Sequence, residues 1–190
     1  VLKYLDIPIQ HCEDRILRAM NRRDTKASIE DTLRRLRRAV PGLVLRTTLL
    51  TGFPGETKED FAALCRFVEE QKFDRLGCFP YSQEEGTPAA QLPGQLDEDE
   101  KRHRAETIMK IQERVAARRN ARMLGTVQTV LIEGYDRAAG CFFGRSYAES
   151  PDIDGKVFVY KPEKNRPQEG DFVQVRITED IDGDLVGELA

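Results

Sequence analysis

From Val1 to about Tyr81, short apolar runs alternate with stretches whose apolar positions recur every three or four residues. Leu2 to Gln10 is an apolar run carrying Pro8, so it reads as a strand end turning toward a helix. Glu13 to Arg23 follows with Ile16, Leu17 and Met20 on one face. Ser28 to Val40 then repeats the pattern with Ile29, Leu33, Leu36 and Val40. Ser28 and Asp31 resemble a capping pair, and Pro41-Gly42 stops the helix. Leu43 to Leu50 reads as a buried strand that turns at Gly52-Phe53-Pro54-Gly55. Thr57 and Asp60 cap the next helix, whose apolar face is Phe61, Leu64, Cys65 and Val68, and Leu76 to Tyr81 is a further strand.

Beyond Tyr81 the rhythm breaks twice. Ser82 to Leu96, rich in Gly, Pro and Gln, reads as a long loop. Asp97-x-x-Glu100 opens a charged helix that closes before Gly125, with a narrow apolar stripe of Ile108, Ile111, Val115 and Met123. Its many basic residues, Lys101 and Arg104 among them, read as the solvated face of a connecting helix, with nucleic-acid contact as the sharper alternative. After Gly125 the period falls to two in short segments at Val127 to Glu133, Cys141 to Tyr147, Lys156 to Tyr160, Asp171 to Thr178 and Asp184 to Leu189. Asp154-Gly155, Glu169-Gly170 and Asp182-Gly183 supply turns between them.

The predicted fold class is therefore α/β followed by all-β. A partial parallel α/β, TIM-like barrel occupies 1–96, a connecting helix 97–124, and a small five-stranded antiparallel OB-like barrel 125–190. Three strands are too few to close an α/β sheet, and the chain opens on Val1 without an initiator Met. Polypeptide upstream is thus expected to complete the sheet.

Composition narrows the class. An apolar share of 39% with 33% charged residues suits a globular chain with charged helices, and the apolar runs are far shorter than a bilayer span. The cysteines, Cys12, Cys65, Cys78 and Cys141, are scattered and form no C-x-x-C pair. They suggest a cytoplasmic protein, and they lack the spacing of a zinc or iron–sulfur site. The net charge of −3 conceals an asymmetry: residues 125–190 carry 7 Lys/Arg against 13 Asp/Glu, while residues 1–124 carry 23 against 20. An acidic barrel repels phosphate and suits a basic protein surface, which weighs against RNA.

Ligands of parallel α/β sheets gather at the carboxyl ends of the strands. Three such ends carry candidate contacts: Gln10-His11, the turn from Leu50 through Gly52 and Pro54, and Phe79-Pro80-Tyr81. Pro54-Gly55 favours a tight type II turn, and free N–H groups at the helix start by Thr57 could hold an anionic or polar group. No Lys follows the glycines, so this is not a Walker loop. Together the three tips suggest a pocket for a small molecule with a base and a polar tail.

Several segments in order, Tyr4-Leu5-Asp6-Ile7-Pro8-Ile9-Gln10-His11, Met20-Asn21-Arg22-Arg23, Gly52-Phe53-Pro54-Gly55-Glu56-Thr57 and Tyr81-Ser82 with Glu85-Gly86-Thr87-Pro88-Ala89, resemble the methylthiotransferase branch of the radical S-adenosylmethionine enzymes. The last part of the chain resembles the TRAM domain of those proteins. Gly144 to Gly155 and Asp74-Arg75-Leu76-Gly77-Cys78-Phe79 are similar to the protein-modifying type more than to the tRNA-modifying one. The resemblance implies methylthiolation of an aspartate β-carbon in small-subunit ribosomal protein twelve, a basic partner met by the acidic TRAM domain. It implies S-adenosylmethionine as cofactor, with two 4Fe–4S clusters. One, held by a C-x-x-x-C-x-x-C loop, generates a 5′-deoxyadenosyl radical; the other is linked to sulfur delivery. Neither cysteine set is in this sequence, so the chain alone is expected to be inactive.

Carried over by position, the resemblance places Leu50, Gly52 and Pro54 against the adenine, Gln10 on the nucleoside or methionine, and Phe79 and Tyr81 on the strand bordering the adenine. Thr48 stands where the wider pattern has Gly, and Glu56 lies one place later than its Glu, which leaves Glu56 open between the cofactor site and the helix start. Two alternatives remain: a tRNA methylthiotransferase, and a non-catalytic RNA-binding module built on the basic helix and barrel.

Overall fold

A computed structural model describes residues 2–160 and 166–190. The chain divides into two compact units, Leu5–Val115 and Ala116–Ala190 with Val1–Tyr4. The first unit holds a three-stranded sheet, and the second holds a closed barrel.

In the first unit the elements run β1 (Tyr4–Asp6), α1 (Asp14–Ala19), α2 (Lys26–Ala39), β2 (Val44–Thr51), α3 (Lys58–Gln71) and β3 (Arg75–Pro80), then a 3-10 turn at Pro88–Gln91. Helix α4 (Glu98–Ala121) begins here and continues past Val115. The sheet order is β1-β2-β3. β2 and β3 are parallel in register Arg46↔Arg75 to Thr51↔Pro80, and Gln10 forms an isolated parallel bridge to Leu49. Residues on β2 alternate, as strand geometry requires. Leu45, Thr47, Leu49 and Thr51 are buried, while Arg46, Thr48 and Leu50 are only half-buried. The buried face joins Leu17, Ile29, Leu33, Leu64, Phe67 and Ile108 in one apolar core. The opposite face is half-open, which is unusual for parallel strands, since these are ordinarily covered on both sides.

Local details depart from the expected ones where side chains compete for backbone groups. Helix α2 is capped by Thr25 and Ser28 in a reciprocal capping box, rather than by Ser28 and Asp31. Helix α1 stops at Ala19, not Arg23, because Asn21 turns left-handed at φ 57°.

The second unit continues with β4 (Val127–Asp136), β5 (Cys141–Arg145), β6 (Val157–Tyr160), β7 (Phe172–Ile181) and β8 (Asp184–Leu189), closed in the order β4-β5-β6-β8-β7. The barrel is mixed and not wholly antiparallel, since β6 and β8 pair in parallel while the other pairs are antiparallel. Val130, Ile132, Phe142, Val157, Val159, Val175, Ile177 and Leu185 form its apolar core. Closure brings backbones together so tightly that a Cβ on Gly144 would lie 1.9 Å from the Leu131 carbonyl oxygen. Strand β5 ends at Arg145, short of Tyr147, because the buried Glu149 carboxylate takes the Ser146 N–H at 2.8 Å and its hydroxyl at 2.6 Å. No helix among the described residues is long and apolar enough to cross a membrane.

Candidate functional site

The three strand tips singled out in the sequence are adjacent. Gln10 donates its N–H to the Thr48 carbonyl and accepts from the Leu50 N–H, both at 2.8 Å, while its own backbone is left-handed at φ 72°. Leu50 is registered with Phe79 across β2 and β3. Leu50 and Phe79 lie on the half-open face, with Thr48 and Gly77 one pair before them. Phe79 is 56% exposed, and a Cβ on Gly77 would meet its ring only in ordinary contact at 3.4 Å. A flat apolar surface bordered by backbone is the kind of surface on which an aromatic base rests. Among the candidates, Leu50 and Phe79 form this patch, and the Gln10 backbone borders it.

Gly52, Pro54 and Tyr81 are buried, and Leu50 also packs against the cluster of Ile16, Phe53 and Tyr81. The Tyr81 N–H extends the strand ladder to the Thr51 carbonyl at 2.8 Å, but its ring is buried with Ile16 and Phe53. It meets the Phe53 ring edge-on at 5.3 Å, and its hydroxyl lacks a hydrogen bond among the described residues. Pro54 is buried in a tight turn closed by Glu56 N–H to Phe53 carbonyl at 2.9 Å, with Gly55 at φ 79°. That geometry fits the predicted type II turn. Gly52 is at φ 72°, and a Cβ there would come within 2.4 Å of the Lys101 side chain. The close approach that demands glycine is therefore to Lys101 on α4. The α3 start is also unlike the expected anion site: Thr57 and Asp60 cap each other, and Arg15 binds Asp60.

The turn is held from beneath by a buried ionic cluster that sequence reading did not assemble. The Glu56 carboxylate accepts from the Gly52 N–H at 2.8 Å on one oxygen and from Arg104 at 2.7 Å on the other. Arg104 also donates to the Glu56 carbonyl at 3.2 Å and to Glu100 at 2.8 Å. Burial pulls the Arg104 guanidinium down, but its bonds to Glu56 and Glu100 outweigh this and raise its pKa. Lys101 is also buried, with its ammonium 2.6 Å from Glu98 and 5.2 Å over the Tyr81 ring centroid. Lys101 and Arg104 thus form packed contacts instead of a solvated face. Their alignment with Ile108 and Ile111, at i, i+3, i+7 and i+10, carried the clue, obscured by the charged residues around them. Glu56 resolves as the anchor of the turn.

His11 completes the cluster. It is wholly buried; its Nδ1 accepts from the Glu13 N–H at 3.0 Å, and its Nε2 lies 3.6 Å from Glu56 without a hydrogen bond.

For a metal, the chain offers little. Cys12 and Cys141 are buried, Cys65 and Cys78 half-buried, and no three His, Cys, Asp or Glu among the described residues are grouped to hold an ion. Burial pushes the Cys12 thiol up to about 12, far from the thiolate an iron–sulfur cluster needs. These residues do not fit a cluster, whereas the Leu50–Phe79 patch with the Gln10 backbone fits the flat base of a nucleoside cofactor.

Comparison with known proteins agrees with the two-unit division. Residues 1–68 match the Radical SAM superfamily, and residues 124–190 match the TRAM domain. Over its whole length of 190 residues the chain is 50% identical to the ribosomal protein uS12 methylthiotransferase RimO of Geobacter sulfurreducens and 49% identical to that of Geotalea uraniireducens, spanning 42% of each. It is 47% identical over 189 residues to that of Acetivibrio thermocellus, of which it spans 41%. The chain thus spans about two fifths of the length of the curated relatives it matches.

Proposed function

We propose that this chain, related over its full length to the RimO methylthiotransferases and joining a radical SAM segment to a TRAM domain, is the C-terminal part of such an enzyme. In this reading residues 1–96 supply the adenine side of an S-adenosylmethionine pocket, 97–124 connect, and 125–190 dock a basic small-subunit ribosomal protein in the cytoplasm. The whole enzyme methylthiolates an aspartate β-carbon of that protein. The family implies S-adenosylmethionine and iron–sulfur clusters; bound to its cluster, the cofactor supplies the radical chemistry that opens an unreactive C–H bond. The contribution of this chain is to bind and orient. Leu50 and Phe79 offer the base a flat face, Gln10 holds the neighbouring backbone, and Gly52, Pro54 and Tyr81 act by shaping the turn beside them.

One observation carries this reading: Leu50 and Phe79 are neighbours on a half-open face at the carboxyl ends of parallel strands, with the Gln10 backbone hydrogen-bonded to Leu50. Leu50→Asp in the whole enzyme, with its clusters reconstituted, puts a carboxylate against the base. It is expected to weaken S-adenosylmethionine binding about tenfold or more in equilibrium dialysis and to abolish methylthiolation of the ribosomal protein by mass spectrometry. Unchanged cofactor affinity in the folded variant would move the pocket elsewhere. The tRNA-modifying alternative predicts instead that tRNA is modified and the ribosomal protein is not.

A further inference from the structure

The barrel carries a cleft that the cofactor site does not use. It encloses about 280 Å³ and is lined by Cys141, Phe158, Tyr160, Ile181, Asp184 and Val186, with Ala139 at its edge. Register explains why these side chains meet. Phe142, Val157, Val159 and Leu185 fill the interior, so the alternating positions Cys141, Phe158, Tyr160 and Val186 project outward on β5, β6 and β8. Cys141 is paired with Tyr160, and Phe158 with Val186. Ile181, beside the β7–β8 turn, forms one wall. Both Tyr160 and Ile181 are 50% exposed, so apolar surface stands open to solvent.

The rim of this cleft is acidic. Asp184 lines it, with one oxygen accepting from the Lys156 N–H at 2.7 Å. Glu179 accepts from the Tyr160 hydroxyl at 2.8 Å, and Asp136 is paired with Cys141, where its charge helps to raise the thiol pKa. Lys156, the nearby cation, is turned onto the Phe143 ring at 4.4 Å. Aromatic side chains on a small barrel could in principle stack nucleic-acid bases, but carboxylates at the rim repel the phosphates that dominate such binding. They attract Lys and Arg.

We propose that this cleft seats an apolar side chain of a basic polypeptide segment, with Asp184, Glu179 and Asp136 meeting the flanking cations. The proposal rests on the reading of the barrel as the dock for a basic ribosomal protein, and it specifies the face and the anchor. Apolar burial supplies affinity, and the rim supplies orientation and salt dependence.

Fluorescence anisotropy of the 190-residue chain tests it, using a labelled Lys- and Arg-rich peptide with one central Leu, the same peptide with Ser at that place, purified small-subunit ribosomal protein twelve, and a single-stranded RNA. The Leu peptide is expected to bind about tenfold tighter than the Ser peptide. Ile181→Ser, half-exposed and so tolerated by the fold, removes that advantage, while Asp184→Asn keeps the Lys156 contact and flattens the salt dependence. Circular dichroism checks that both variants fold. If the ribosomal protein binds and Ile181→Ser leaves its affinity unchanged, the cleft is not the dock although the barrel still is. If the Leu peptide binds through the cleft and the ribosomal protein does not bind, the cleft stands and its assignment to that partner fails. RNA binding that Ile181→Ser weakens, with none of either polypeptide, overturns the proposal.

Discussion

The two units bury different chemistry. Beneath the glycine turn of the α/β unit lie His11, Glu56, Lys101 and Arg104, each under 4% exposed. The core cluster of the barrel, by contrast, is built on Val, Ile, Phe and Leu, with the buried Ser146 and Glu149 just past the end of β5. The barrel closes on itself, so its core draws its stability mainly from apolar burial. The α/β unit must hold a strand-to-helix turn in one conformation beside a half-open face, and directional bonds to Gly52 N–H do this where packing cannot. A buried ion pair is a weak source of stability, yet breaking one is costly. Such a cluster suits positioning.

This contrast can be broken at several points. The largest effect is expected in the barrel. Gly144→Ala drives a Cβ into the Leu131 carbonyl, backbone against backbone, and should cost more than about 4 kcal/mol. The same change at Gly52 drives a Cβ into Cγ and Cβ of the buried Lys101, beside its backbone, at a left-handed φ, and should cost about 3 kcal/mol or more. Urea unfolding of the two variants measures both losses, and a Gly52→Ala variant as stable as the parent would refute the close approach to Lys101.

Next comes the cluster. Glu56→Ala leaves the buried Gly52 N–H unpaired and takes from Arg104 its buried carboxylate, leaving it Glu100 and the residue-56 carbonyl, and should destabilise the α/β unit by about 2–4 kcal/mol, with the barrel amides as protected from hydrogen exchange as before. Glu56→Gln, which retains an acceptor, should lose less. Equal losses would show that charge alone matters.

Alkaline pH should separate the units more gently. Cys12 lies in the α/β core with its thiol pushed from 9.0 up to about 12 by burial, and the half-buried Cys78 is also raised. The native state therefore keeps a proton that the unfolded chain releases. Stability from this source is complete below pH 9.0 and falls as pH rises toward about 12. Cys12→Ala should flatten that slope in a pH series of thermal unfolding, and an unchanged slope would assign the base sensitivity elsewhere. The smallest effect is Ile177→Val, a lost methylene in the barrel, at about 1 kcal/mol by urea unfolding.

Reading the sequence against these outcomes, periodicity located nearly every helix and strand, because apolar spacing records which face is buried. It placed the Gln10, Leu50 and Phe79 tips correctly in chain order. It misjudged Lys101 and Arg104, whose charge suggested solvent. It also missed the Thr25 cap, since Ser28 serves equally as partner in the box. Gly52 looked like a cofactor contact because glycine reports only that something comes close, not what.

By itself the sequence determined the strand–helix alternation, the change to period two after Gly125, the acidic balance of residues 125–190 and the scatter of the cysteines, all of which are properties of spacing and composition. Only the tertiary structure decided that Glu56 joins Gly52 to Arg104 across 48 residues, that β6 and β8 run parallel, and that Tyr160 and Ile181 share a cleft. Periodicity is local along the chain. Partners brought together by sheet register and barrel closure are set by the packing of the whole unit, which no window of neighbouring residues encodes.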